Sequence, residues 1–293
     1  MAATLQQHFN GGADGTAFTA ANSDDDGSSP CFLIIGAGTA TYQASGAKMG
    51  LCLRVVNANG GAATITGWDS SFTGTTFTAR GYITFNTDTS AVGLSPVQVR
   101  TAGGSIGGLQ YNTGRSLQAV YGASGSALPG SAYVVTLGAR YRFELVITPG
   151  TTATSGSFRY MLYADDATTA LIDVTVTGKD LRSQPVSSFR WGKTGTAGDA
   201  DILFEEFIAS DEHPAPFGPV VQAFAASWEI APIDGGAPLT VTGTVTASGG
   251  VPPYTYTWDW GDGSGAYVGT ASETHTYADE GNYNATCSVK DAT

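Results

Sequence analysis

Chemistry in this chain would have to start from its carboxylates. Asp24, Asp25 and Asp26 run consecutively in "NSDDDGSS" (22–29). Three neighbouring carboxylates repel one another unless an ion or solvent intervenes. They are therefore candidate calcium ligands, with a solvated turn as the plain alternative. Asp259 and Asp262, in "PPYTYTWDWGDGSG" (252–265), are a second candidate set. Calcium takes about six to eight oxygens, so this pair would need ligands from elsewhere. Residues 1–212 hold four glutamates: Glu144, Glu205, Glu206 and Glu212. Retaining glycoside hydrolysis requires two carboxyl groups about 5–5.5 Å apart. Adjacent residues on a strand point to opposite faces. Glu205 and Glu206 are thus expected to diverge, and no catalytic residue is assigned.

Other reactive groups are sparse. Cys31, Cys52 and Cys287 form no C-x-x-C pair, which excludes thiolate metal and redox motifs. Cys31 and Cys52 lie in apolar runs, "CFLII" and "LCLRVV", and read as buried free thiols; a disulfide between them stays open. His8, His213 and His275 are far apart in sequence. "GGSIG" (103–107) spells G-x-S-x-G, but no helical pattern follows to build the nucleophile elbow. "NAT" (284–286) spells a glycosylation acceptor, which matters only in a secreted chain.

The elements that carry these residues are strands. Hydrophobic residues make up 42% of 293 residues and charged residues 13%, with 40 glycines. That mix suits short strands and tight turns. "RYRFELVIT" (140–148) alternates, with Tyr141, Phe143, Leu145 and Ile147 on one face and Arg142 and Glu144 on the other. "FTARGYITF" (77–85), "FRYMLY" (158–163), "LIDVTVT" (171–177) and "ILFEEFIAS" (202–210) repeat the pattern. So many strands without helices must fold over into a sandwich or jelly roll. Pro214, Pro216 and Pro219 interrupt the series. The expected organisation is a jelly roll over 1–212, a proline-rich linker over 213–222 and a small sandwich over 223–293. In the last part Tyr254, Tyr256, Trp258 and Trp260 alternate on one strand face. They read as core rings followed by an Asx-type turn at Asp262. A sugar-stacking platform would instead need the rings exposed and coplanar.

The net charge of −12 argues against nucleic acid, which requires a basic surface. No apolar run is long enough to span a membrane. The first residues carry neither a basic region nor an apolar core, so no signal peptide is expected.

Two resemblances follow from these residues. "GGVPPYTYTWDWGDGSG" with "ETHTYADEGNYNATCSVKDA" resembles a PKD domain, an immunoglobulin-like and non-catalytic module. It carries W-D-x-G-D-G from Trp258 to Gly263 and H-x-Y-x-x-x-G-x-Y from His275 to Tyr283. "HFNGGADGTAFTAANSDDDG", "ARYRFELVITPG" and "ILFEEFIASDE" resemble, more loosely, the concanavalin A-like lectin/glucanase (LamG-like) jelly rolls. The likeness extends to such modules in bacteriophage tail and capsid-decorating proteins. Some of these jelly rolls hold calcium in acidic loops, which keeps Asp24, Asp25 and Asp26 in view. The resemblance implies a non-catalytic protein of the virion surface, synthesised in the host cytoplasm and present in many copies. It would contact other virion structural proteins or host cell-surface polysaccharide, with no glycan-binding residue assigned. The alternative is a carbohydrate-binding or adhesion module of a secreted or surface bacterial protein.

Overall fold

The computed structural model describes residues 4–9, 11–23, 31–35, 38–44, 51–58, 63–69, 72–90, 93–194, 198–220, 224–249 and 253–291. The chain is all-β and divides into two compact units, Met1–Pro219 and Val220–Thr293. The break lies inside the proline-rich segment. Among the described residues the one helical piece is a 3-10 turn at Ala20–Asn22, closed by a capping box from Thr19.

The large unit runs through β1 (Thr4–Gln7), β2 (Phe32–Ile35), β3 (Thr39–Gln43), β4 (Cys52–Asn57), β5 (Thr64–Asp69), β6 (Phe77–Phe85), β7 (Leu94–Thr101) and β8 (Gly104–Asn112). It continues with β9 (Ser116–Tyr121), β10 (Ser126–Ala127), β11 (Tyr133–Val134), β12 (Arg140–Thr148), β13 (Gly156–Ala164), β14 (Ile172–Lys179), β15 (Val186–Thr194) and β16 (Ala200–Ser210). One sheet has the order β14-β13-β12-β6-β16-β4-β3, with β1 also on β16. The other has the order β10-β9-β8-β7-β15-β5-β2, with β11 also on β9.

Aromatic pairs join the sheets across one core. Trp191 of β15 stacks on Phe207 of β16 at 4.5 Å between ring centroids. Phe85 of β6 stacks on Tyr111 of β8 at 4.0 Å. β12 follows the sequence pattern: Tyr141, Phe143, Leu145 and Ile147 all enter the core. Gly81, opposite Phe143 in the register, makes room there. A Cβ on it would stand 2.8 Å from the Phe207 ring and 2.9 Å from the Phe143 ring.

The small unit contains β17 (Ala225–Ala231), β18 (Leu239–Ser248), β19 (Thr255–Asp259), β20 (Tyr267–Gly269), β21 (Ser272–Tyr277) and β22 (Thr286–Lys290). They form two three-stranded sheets, β17-β18-β21 and β20-β19-β22. The core is small: Val241, Val245, Trp258, Trp260 and Tyr277. Trp258 and Trp260 stack at 5.2 Å, and Gly243 on β18 lies directly against the Trp258 ring, where any side chain would collide. The rings of "YTYTWDW" thus fill the core from its second half. Tyr256 packs partly buried against it, while Tyr254 lies before β19 and bonds the Gly249 carbonyl at 2.6 Å.

Candidate functional site

A dense group of ionisable side chains lies on the outer face of the β12-β6-β16 sheet. Arg142 and Glu144 are two apart on β12 and so share a face. The Arg142 guanidinium donates to Glu144 Oε1 at 3.0 Å, and both side chains are buried. Arg142 also donates to the carbonyls of Asp165 and Ala167 and lies 4.0 Å over the Tyr163 ring. Across the register Tyr82 faces Arg142 and donates to Asp166 at 2.6 Å. Arg140 grips Asp165 through two hydrogen bonds of 2.8 and 2.9 Å and reaches Glu205 at 3.5 Å.

One expectation fails here. Glu205 and Glu206 do not diverge. Phe204 and Phe207 both enter the core, so the two residues between them must both face outward. A register break between Glu205 and Ile208 produces this, with Glu206 at φ 50°. It is a β-bulge, which re-aims side chains. It sits where β16 passes from β4, paired at Ala200–Phe204, to β1, paired at Phe207–Ser210. The signal was in the sequence: F-E-E-F spaces its aromatics by three, not two. Glu206 is then bound by His8 Nδ1 at 2.7 Å.

The bulge therefore gathers Glu144, Glu205 and Glu206 on one face, but the protein covers that face itself. The segment after β16 folds back across it. Gly218 N–H donates to Glu144 Oε2 at 3.1 Å, and the Gly218 carbonyl accepts from Arg80 at 3.2 Å. Within the segment His213 stacks on Phe217 at 4.7 Å. Burial lowers the pKa of Arg80, against the pull of Tyr82 and of the nearby carboxylates. All three glutamates are at most 3% exposed. Both oxygens of Glu144 are thus engaged, one by Arg142 and one by Gly218. Such a row orders loop and sheet.

The remaining sequence candidates are dispersed. Asp24, Asp25 and Asp26 lie outside the described residues. Asp259 Oδ1 accepts from Gly261 N–H at 2.9 Å, and Asp262 Oδ1 accepts from Ser264 N–H at 3.0 Å. These are Asx turns. Asp262 Oδ2 meets His275 Nε2 at 2.7 Å. Hydrogen bonds from Ser264, reinforced by His275, hold the Asp262 carboxyl down at about 2. Among the described residues no three acidic, histidine or cysteine side chains cluster as metal ligands would. Cys31 and Cys52 are buried cysteines outside any disulfide. Burial, with Glu205 nearby, pushes the Cys52 thiol up to about 12, so it is inert as a nucleophile. Ser105 of "GGSIG" sits in β8, a strand, with no helix after it. No helix among the described residues is long and apolar enough to cross a membrane.

Residues 219–293 match the family model of the PKD domain. Among curated proteins none matches the chain in sequence. Solved structures overlap it loosely. A Trypanosoma rangeli sialidase in complex with sialic acid is 16% identical, with a TM-score of 0.41 over 71% of this chain and 30% of its own. A protein of unknown function from Shewanella oneidensis MR-1 is 15% identical, with a TM-score of 0.46 over 71% of this chain and 86% of its own. The binding domain of botulinum neurotoxin serotype C1 is 8% identical, with a TM-score of 0.46 over 71% of this chain and 48% of its own. The chain spans under a third of the sialidase. Likeness at this level carries no argument about activity.

Proposed function

We propose that the protein is a non-catalytic adhesion and carbohydrate-binding module, with its large unit as a lectin-like jelly roll and the PKD domain as a second, non-catalytic unit. The observation that carries this is the engagement of Glu144. In glycosidases one carboxyl group must be free to protonate and another to attack or to activate water. Here Glu144 is held by Arg142 and Gly218, Glu205 approaches Arg140 and Glu206 meets His8. The more specific reading is a virion surface protein, in a bacteriophage tail or decorating a capsid. It is supported by the buried cysteines outside any disulfide, which suit synthesis in a reducing cytoplasm. In that setting the large unit contacts host-surface glycan or neighbouring virion subunits. The alternative is a carbohydrate-binding or adhesion module of a secreted or surface bacterial protein.

Binding by such a module is weak per site and gains strength from copy number. The test displays the full chain on particles at high density and measures retention on bacterial cells. The expected result is retention competed by soluble cell-surface polysaccharide, with the single chain far weaker. Failure of the multivalent display to bind any host cell removes the adhesin role.

A further inference from the structure

The small unit carries an open groove of about 700 Å³. Its floor is the apolar Ile230, Leu239, Val241 and Tyr277. Asp234, Asp279 and Glu280 stand around it, and among the described residues no lysine, arginine or histidine lines it. All three acids are exposed. Along one side runs β17, with Trp228 and Ile230 in the groove. Trp228 is 47% exposed and Ile233, beyond the strand, 84% exposed.

β17 is unusual for a sandwich strand. Six of its seven residues are exposed, and among the described residues it pairs with β18 alone. The seven-residue register with β18 runs without a bulge. Proteins guard open edges with lysine, proline, bulges or short strands. "AASWEIA" has none of these, and its single charge is the acidic Glu229. An unguarded edge offers a row of main-chain donors and acceptors that only another extended backbone can match.

We propose that β17 and the groove beside it receive an extended polypeptide segment bearing lysine or arginine, which joins the β17-β18-β21 sheet as a fourth strand. An added strand would run about 4.7–4.9 Å beyond β17, with alternate side chains turned into the groove. Apolar side chains there meet Trp228 and Ile230. Basic ones meet Asp234, Asp279 and Glu280, and Trp228 offers its ring face to a cation. Charge decides against the other occupants. Residues 223–293 carry eight acids and one base, Lys290. A second copy of this chain would bring a net charge of −12 to an acidic groove. Acidic polysaccharide is repelled for the same reason. This site lies on the small unit, whereas the proposed glycan contact is a property of the large unit, so cell retention and peptide binding can fail independently.

The test uses the full chain and a synthetic ten-residue peptide alternating Lys and Val. Trp68, Trp191, Trp258 and Trp260 are at most 2% exposed, so Trp228 is the one tryptophan of five open to a soluble quencher. The Lys–Val peptide is expected to shield Trp228 from acrylamide. Its affinity should fall at least about tenfold in the Asp234→Lys, Glu280→Lys double variant and weaken as salt rises. A peptide alternating Glu and Val should not bind, nor should the Lys–Val peptide N-methylated at alternate residues. The proposal is overturned if the Lys–Val peptide does not bind, or if charge reversal or N-methylation leaves binding unchanged. Shielding of Trp228 by neutral oligosaccharide and not by peptide, or by self-association of the chain, overturns it equally.

Discussion

The two units treat negative charge in opposite ways. In the large unit Glu144, Glu205 and Glu206 are buried and meet Arg142, Arg140 and His8. In the small unit Asp234, Asp279 and Glu280 are exposed and make no ion pair among the described residues. Twelve of the thirteen lysines and arginines precede residue 220. The first arrangement uses its charges within its own fold; the second leaves them exposed to solvent. A carboxylate cluster is therefore weak evidence of catalysis until its partners are known.

The largest effect is expected where the buried row is broken. Glu144→Ala strands Arg142 and the Gly218 N–H, and removing one member of a buried pair typically costs about 3–5 kcal/mol. Urea denaturation of the large unit would measure it. Replacing both members, Arg142→Met with Glu144→Leu, should cost much less than Glu144→Ala alone. Equal losses would mean that the pair is not a unit.

A comparable loss is expected from Trp258→Ala. The small unit has five buried core residues, and deleting a buried Trp costs about 3–5 kcal/mol. The melting transition of that unit should fall or vanish; an unchanged transition would refute the core assignment of the tryptophan strand.

A smaller effect of opposite sign concerns Tyr160. Among the described residues its hydroxyl, buried in the large core, has no hydrogen-bond partner, and burial raises its pKa strongly. An unsatisfied buried polar group costs about 1–3 kcal/mol, so Tyr160→Phe should stabilise the large unit by about 1 kcal/mol. Destabilisation in the same denaturation experiment would reveal an unseen partner.

The smallest effect should come from Asp262, a small-unit acid that is paired with a base, His275. Asp262 is lowered from 3.8 to about 2 in the fold. A depressed carboxylate stabilises the fold above its ordinary value and loses that contribution as pH falls through the folded one. The urea midpoint of the small unit should therefore decline between about pH 4 and about pH 2. In Asp262→Asn that decline should flatten; an identical decline in both proteins would assign it to other groups.

Much of the fold was legible because burial leaves a period. The bounds of β12 and β6 coincide with the runs at 140–148 and 77–85, although both faces of these strands are buried and not only the core-facing one. The Asx turn at Asp262 was readable from side-chain chemistry close in sequence. The candidate site was less so. Strict alternation hid the bulge at Glu205 and Glu206, although the three-residue spacing of Phe204 and Phe207 carried it. The cover over Glu144 comes from Gly218, 74 residues away, and no local pattern encodes such a contact. The proline-rich segment read as a linker because proline favours extended backbone, yet Gly218 within it packs on the large unit. Trp228 went unnoticed because one ring in an alternating strand does not reveal which side meets solvent.

The claim that the buried carboxylates serve the fold and not hydrolysis is tested most directly by incubating the full chain with bacterial cell-wall polysaccharides and β-glucans and measuring new reducing ends. No release above the protein-free control is expected, at any pH at which the protein stays folded. Release by the wild-type protein that is lost in a folded Glu205→Gln or Glu206→Gln variant would contradict it, and would make the gathering of Glu144, Glu205 and Glu206 on one face the mark of an enzyme.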